Sequence, residues 1–358
     1  MTMVEWKKLT KVSYIQYGYP FDSSLFSEDN SYIPLIRIRD VKPGIPSTYY
    51  TGDYSSDYII HRGDILVGMD GEFNLAKWQS RDGLLNQRVL KLSGKDGTCI
   101  SGYLYHYMGP VFKRIEKQTA GGSVKHLSAK VINNLEIPIP SLSEQNRIVG
   151  ILDTFTDSIE NLKQQIAQRR KQYEFYRDQL LDLEGKEGVE ILKLGEACEI
   201  RRGIRVVKKQ LKENARYPVF QNSIAPMGYY DQFNRNGNMP YIICAGSSSG
   251  SVGYCCTPFW AADDCFTIES SKVNIRYTYY ALKKNNNNLF RLVRKGSMPR
   301  LPHEAIDNMV IPIPSLEEQQ RIVSILDTFE ASISNLEAQL AQRQKQYEYY
   351  RNKLLTFE

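Results

Sequence analysis

IPIPSLSEQNRIVGILDTFTDSIENLKQQIAQRRKQYEFYRDQLLDLE, residues 137–184, recurs as IPIPSLEEQQRIVSILDTFEASISNLEAQLAQRQKQYEYYRNKLLTFE, residues 311–358. Without a gap, about 33 of about 48 positions agree, at a period of about 174 residues. That period is far longer than a solenoid repeat, so it marks two large units, each a globular head followed by one copy of this element. Ser141 and Ser315 stand three residues before Glu144 and Glu318, the spelling of a helix-starting capping box. Pro138, Pro140, Pro312 and Pro314 keep the preceding IPIP extended.

From there the apolar positions step alternately by four and three. The first seam is Ile148, Leu152, Phe155, Ile159, Leu162, Ile166, Arg169, Tyr173, Tyr176 and Leu180. The second is Ile322, Leu326, Phe329, Ile333, Leu336, Leu340, Arg343, Tyr347, Tyr350 and Leu354. This is a coiled-coil seam, and a helix of about 40 residues extends about 60 Å. It is too narrow and too long for one face of a globular helix, so the two copies are expected to pair within the chain. The Arg at the same place in both seams is expected to snorkel or to find a partner.

The 358 residues suffice for two filled heads plus the helices, with 42% hydrophobic and 24% charged residues, ordinary for a soluble chain. No apolar run approaches the length of a membrane span, and MTMVEWKKLTKV lacks a secretory h-region. Six Cys without such a signal suggest reduced thiols and a cytoplasmic location. The net charge is +6, and Tyr is abundant at 24, which suits surfaces that bind through rigid amphipathic rings.

The expected plan is a first head over residues 1–136, a helical spacer over 137–184, a second head over 185–310 and a second spacer over 311–358. In the first head, β-like runs at 32–39, 58–60, 64–68 and 87–92 lie between glycines, and a short helix is expected over 101–108. In the second, runs at 217–221, 241–244, 252–256 and 265–268 precede a helix over 276–284. Residues 189–194 echo the start of the chain, and GKEG at 185–188 is the hinge. The helices are nearly copied while the heads have diverged, as in a two-part reader with a fixed frame. The fold class is α+β: two loop-rich, mainly β heads, each followed by a long helix.

Charge points to nucleic acid. Arg201, Arg202 and Arg205 open a dense basic stretch, and residues 270–303 carry eight Lys and Arg with no acid, Arg276, Lys295 and Arg300 among them. Such clusters neutralise phosphates and release counterions; the bland alternative is a solvated basic face. The first head has a thinner set in Lys77, Arg81, Arg88 and Lys125. A Gly/Ser loop carrying Ser247, Ser248 and Ser249 lacks the Lys of a phosphate-binding P-loop and is either a plain turn or a loop that brings donors close to DNA. Its counterpart in the first head is the segment 68–74, which includes Asn74, and side chains of this kind can meet base edges. Gly122-Ser123 and Gly296-Ser297 recur at the period, followed by Lys125 and Arg300, and are expected at the DNA backbone.

Cys244, Cys255, Cys256 and Cys265 lack zinc-site spacing, and buried thiols are the simpler reading, so no metal is expected. No adenine-methylation tetrapeptide, Gly-rich S-adenosylmethionine loop or Walker motif is present. Glu5-Trp6-Lys7 has a nuclease spelling without its upstream acid, and Arg62-Gly63-Asp64 is a chance tripeptide.

The two copies of IPIPSL-x-EQ-x-RIV-x-ILDTF, with the later AQR-x-KQYE-[FY]-YR-x-x-LL, resemble the specificity subunits of type I restriction–modification systems over the whole chain. The resemblance implies a non-catalytic subunit whose target-recognition domains each read one half of a split, asymmetric site in the major groove of double-stranded DNA. It implies that the helices form an antiparallel intramolecular coiled coil with pseudo-two-fold symmetry, set the unread spacer and dock two methyltransferase subunits. Those subunits would carry the S-adenosylmethionine and methylate adenine N6, so no cofactor is expected on this chain. Motor-nuclease restriction subunits would join for cleavage, and no membrane is involved. The helix positions Leu152, Asp153, Phe155 and Leu326, Asp327, Phe329 carry the family motif. Two other readings compete: a self-sufficient DNA methyltransferase, whose motifs are missing, and a coiled-coil scaffold with protein-binding heads, which predicts no salt-dependent DNA affinity.

Overall fold

The structure, a computed structural model, describes residues 4–119 and 125–357. The chain divides into two compact units, Met1–Asn161 with Leu340–Glu358, and Leu162–Gln339. The long helices span Leu142–Leu180 and Leu316–Leu354, and each contributes residues to both units.

Each unit is closed by its IPIP segment. Glu136–Ile139 pairs antiparallel with Glu5–Lys8, with Trp6 opposite Pro138. In the second unit Val310–Ile313 pairs with Glu190–Lys193, with Ile191 opposite Pro312. A two-stranded ribbon suits these prolines, because both strands are edges and a missing N–H leaves no ladder unfinished.

Behind each ribbon is a four-stranded antiparallel sheet of one topology. In the first unit the order is Ser13–Tyr17, Val89–Gly94, Ile65–Gly68, Leu75–Lys77, and in the second Glu199–Arg202, Cys265–Glu269, Met239–Ile243, Val252–Cys255. The third strand of each order is buried on both faces, so it reads as an unbroken apolar run. Ile65 and Val67 enter one core while Leu66 enters another with Trp78 and Val89. Likewise Ile242 joins one cluster, and Tyr241 and Ile243 the other. The heads differ outside this sheet. The first adds a five-stranded sheet that includes Phe26–Ser27, Tyr49–Tyr50 and Ile59–Ile60, and the second a three-stranded one.

The expected helix over 101–108 runs instead as Ser101–Gln118, with Pro110 inside it. Tyr103, Leu104, Met108 and Phe112 are buried along one face, and that burial outweighs a proline cost of about 3 kcal/mol. The expected strand 32–39 is shorter, Ile33–Ile36, and turns into a helix at Ile38–Val41. The capping boxes form only in part. Ser141 Oγ accepts from Glu144 N–H and Ser315 Oγ from Glu318 N–H, both at 3.3 Å. The two carboxylates turn forward to Arg147 and Arg321, whose charge offers more than a backbone amide.

The seams pack within each unit. In the first, Ile148 and Leu152 are fully buried, Tyr347 and Leu354 pack on the same cluster, and Phe155 stacks on Tyr350 at 5.2 Å. In the second, Ile322 and Leu326 are fully buried, with Tyr173 and Leu180 against them. There Arg170 meets Glu337, Tyr173 meets Glu330, and Tyr176 stacks on Phe329 at 5.4 Å. Rising numbers on one helix meet falling numbers on the other, so the helices run antiparallel in this unit. Leu162 and Ile166 are buried, and Ile159, Ile333, Leu336 and Leu340 are half-buried. The seam arginines lie over aromatic rings, Arg169 above Phe329 at 5.8 Å and Arg343 above Phe155 at 5.6 Å, which keeps each charge partnered without a carboxylate.

Matching polar locks hold each head to its helix. Gln145 is fully buried; its Oε1 accepts from Ile100 N–H at 2.9 Å and its Nε2 donates to Pro140 O at 2.9 Å. Gln319 does the same with Asn274 N–H and Pro314 O, both at 2.8 Å. Tyr103 and Tyr277 hydroxyls donate to Pro138 O and Pro312 O. About two turns further along each long helix, at Asp153 and Asp327, the locks diverge. In the first unit buried His106 contacts Asp153 at 2.8 Å through Nε2 and the Tyr347 hydroxyl at 3.0 Å through Nδ1, and Lys77 meets Asp153 at 3.3 Å. In the second, Arg276 bonds Asp327 at 2.7 Å and Glu330 at 2.6 Å. Its guanidinium lies over Tyr254, Tyr279 and Tyr280.

Candidate nucleic-acid interface

The turn after the doubly buried strand is the most distinctive edge of each head. In the first unit Gly71 N–H donates to Lys125 O at 2.9 Å and Leu127 N–H to Met69 O at 2.7 Å, around a bridge between Asp70 and His126. In the second, Gly246 N–H donates to Pro299 O at 3.0 Å and Leu301 N–H to Cys244 O at 2.8 Å, around a bridge between Ala245 and Arg300. The Gly/Ser loop and 68–74 are therefore structural counterparts, each clipped to the segment that follows the head's helices. Gly246, which donates to Pro299 O, has φ +87°, in the left-handed region that favours glycine.

In the second unit three loops converge here. A Cβ on Gly246 would lie 3.5 Å from the Cβ of Asn222, which places the 221–223 loop beside the turn. That loop and residues 205–208 line a groove of about 480 Å³ with Gln221, Asn222, Ser223 and Arg205 on its walls. Arg294 and Arg300 exchange backbone hydrogen bonds at 2.8 and 3.1 Å, forming a small hairpin whose tip carries Lys295 and Ser297. Arg205, Lys295, Ser297 and Arg300 are exposed, and among the described residues none of these three bases is in an ion pair. Burial pushes the Cys244 thiol up to about 11, Asp264 adds to that, and Arg202 and Arg300 oppose it, so both guanidiniums act on the same edge. Amide, hydroxyl and guanidinium groups on exposed loops are the chemistry that reads base edges and holds phosphates.

The other expected residues divide. Arg202 donates to Asp263 O at 2.8 Å and stays exposed, while Arg201 pairs with Glu199 at 2.6 Å and Glu269 at 3.4 Å. Ser247 is exposed and Ser248 half-buried, but Ser249 is 3% exposed beneath the turn, so its hydroxyl is not offered outward as expected. Arg276 also needs correction. Burial opposes its charge, but Asp327, Tyr280 and Glu330 outweigh burial and hold the guanidinium above its ordinary value, so it serves the lock instead of an outer surface. Lys77 is corrected likewise, bound to Asp153 and lying 5.0 Å from the Tyr105 ring centre. Arg81 donates to Asn30 O and Tyr32 O, tying two loops together. Arg88 meets Asp70 at 3.3 Å, Lys125 meets Glu116 at 3.6 Å, and Asn74 donates to Glu72 at 3.0 Å. Ser123 lies outside the described residues. Sequence reasoning passed over Gln221 and Asn222, although a polar triple directly after the apolar run of 217–220 was a usable signal.

The family model for the type I restriction modification DNA specificity domain matches residues 3–169 and again 186–344. The chain belongs to that family. A type I restriction enzyme specificity subunit of Haemophilus influenzae is 28% identical to this specificity-domain chain over 99% of its length and 96% of the relative's. The EcoBI specificity subunit of Escherichia coli is 36% identical over 46% of this chain, a match that spans 35% of that relative. The crystal structure of the type I restriction–modification S subunit from M. genitalium shares the fold at TM-score 0.76 and 18% identity, over 100% of this chain and 97% of that one. Both specificity domains include a head and part of the helix after it, as the duplicated sequence does. Among the described residues no helix is long and apolar enough to cross a membrane, and no group of three or more His, Cys, Asp or Glu could hold a metal ion.

Proposed function

We propose that this chain is the DNA sequence-specificity subunit of a type I restriction–modification assembly and performs no chemistry of its own. Each head reads one half of a split site in double-stranded DNA. Two methyltransferase subunits dock on the chain, bring S-adenosylmethionine and methylate adenine N6, and motor-nuclease subunits join for cleavage in the cytoplasm. The observation that carries this reading is the paired turn edge. Two heads of one sheet topology present the same backbone construction with different side chains, Asp70 and His126 in one, Ala245 and Arg300 in the other. A shared frame with different lettering is what reading two unlike half-sites requires.

The test is co-expression with the methyltransferase subunit of its own locus in a host free of adenine methylation, followed by genome-wide mapping of N6-methyladenine. The expected result is one split motif with a fixed gap, and replacing residues 189–310 by another head should change one half only. Failure to bind the methyltransferase and DNA would sink the proposal and favour the scaffold reading.

A further inference from the structure

The two turn edges differ in how their charges are satisfied. At the first unit's turn edge Arg88, Lys113, Lys125 and His126 each already have a carboxylate. Asp70 takes Arg88 at 3.3 Å and also His126, and Glu116 takes Lys113 at 3.1 Å and Lys125 at 3.6 Å. In the second unit those carboxylates are gone from the equivalent places. Ala245 occupies the bridge position of Asp70, Arg300 that of His126, and Phe290 falls one period after Glu116. The segment 120–126 reads AGGSVKH while 294–300 reads RKGSMPR. Arg294, Lys295 and Arg300 are exposed and unpaired among the described residues. Asp264 is an acid near this edge, since it acts on the Cys244 thiol as Arg202 and Arg300 do, but it forms no ion pair with either among the described residues.

A cation that must leave its own carboxylate to reach a phosphate returns little, whereas a free one releases counterions in full. We propose, on the reading of the chain as a DNA-specificity subunit, that its heads contribute unequally. The second head is the electrostatic anchor that supplies most of the salt-dependent, sequence-independent hold on the duplex. The first reads its half-site with little counterion release.

The experiment measures the affinity of the full chain for a mixed-sequence DNA duplex between about 50 and about 200 mM potassium chloride. Three neutralised phosphate contacts lower the slope of log affinity against log salt by about 2.7. The triple substitution Arg294→Gln, Lys295→Gln, Arg300→Gln should approach that loss, and Lys replacements at Arg294 and Arg300 should restore it. The matched triple in the first head, Arg88→Gln, Lys113→Gln, Lys125→Gln, should lower the slope by less than about 1. Asp70→Asn with Glu116→Gln should raise it, by releasing Arg88 and Lys125. Equal losses from the two triples, or a larger loss from the first head, overturn the proposal and leave the DNA reading standing. A wild-type chain with no salt-dependent affinity for the duplex overturns both.

Discussion

Replacing Gln145 or Gln319 by Ala would strand a backbone N–H and a proline carbonyl in the interior, because each amide serves both. A buried unsatisfied group costs about 1–3 kcal/mol, and chemical unfolding of either variant should show a loss of that size. His106 adds a pH dependence to the first unit. Asp153 can only accept, so Nε2 carries the proton and Nδ1 accepts from Tyr347, which suits the neutral ring. Burial holds its folded pKa below the usual value, against Asp153, which raises it, and with Lys77 and Arg351, which lower it further. Its contribution is full above the unfolded value of about 6.5 and is lost as pH falls below that toward the folded value. Melting temperature should therefore drop between about pH 7.5 and about 5.5, and His106→Gln should flatten that part of the drop; an unchanged profile in the variant would refute the assignment. At this scale the sequence was only half legible. It displayed the charge of Arg276 and Lys77 but not the carboxylates that claim them, which lie 51 and 76 residues away in the chain.

At the scale of elements, the long helices were readable because a four–three seam over ten positions, all but one of them large apolar or aromatic residues, is the pattern of a coiled coil. Strands of two residues such as Phe26–Ser27 and Tyr49–Tyr50 were not readable. They carry no period, and distant partners decide their pairing. The helices are near-copies, yet a difference between them matches the heads. Glu330 receives Arg276, Tyr173 and Tyr279; one period earlier stands Thr156, whose hydroxyl donates to Asp153 O. Glu330→Thr should destabilise the second unit by about 1–2 kcal/mol, since its charge-assisted bonds are partly exposed. The same change should be nearly neutral if Arg276 is first replaced by Gln, which a double-mutant cycle measures. If both backgrounds lose equally, Glu330 does not key head to helix.

For the whole molecule, the duplication set the domain plan, and the identity of the reading side chains stayed hidden because loops, not periodic elements, present them. Groove walls such as Gln221 and Asn222 become visible only when three separate loops meet beside the turn. Each long helix serves both units, so its length is the natural variable for the gap between half-sites. One heptad inserted into both helices adds about 10 Å, and methylation mapping should find the gap longer by about three base pairs with both half-sites unchanged. An unaltered gap would remove the helices from that role.

The ribbon that closes each head has a consequence for how such chains change. The polypeptide enters a head through Glu5–Lys8 or Glu190–Lys193 and leaves through the strand hydrogen-bonded beside it. Entry and exit thus share one doorway, whatever is built behind it, a five-stranded sheet or a three-stranded one. Genetic exchange with crossovers at the two strands would move a complete head as a cassette, of any internal size, because both junctions lie side by side in the ribbon. A new half-target can then be acquired in a single event, with the Thr156 or Glu330 position as the residue that must follow.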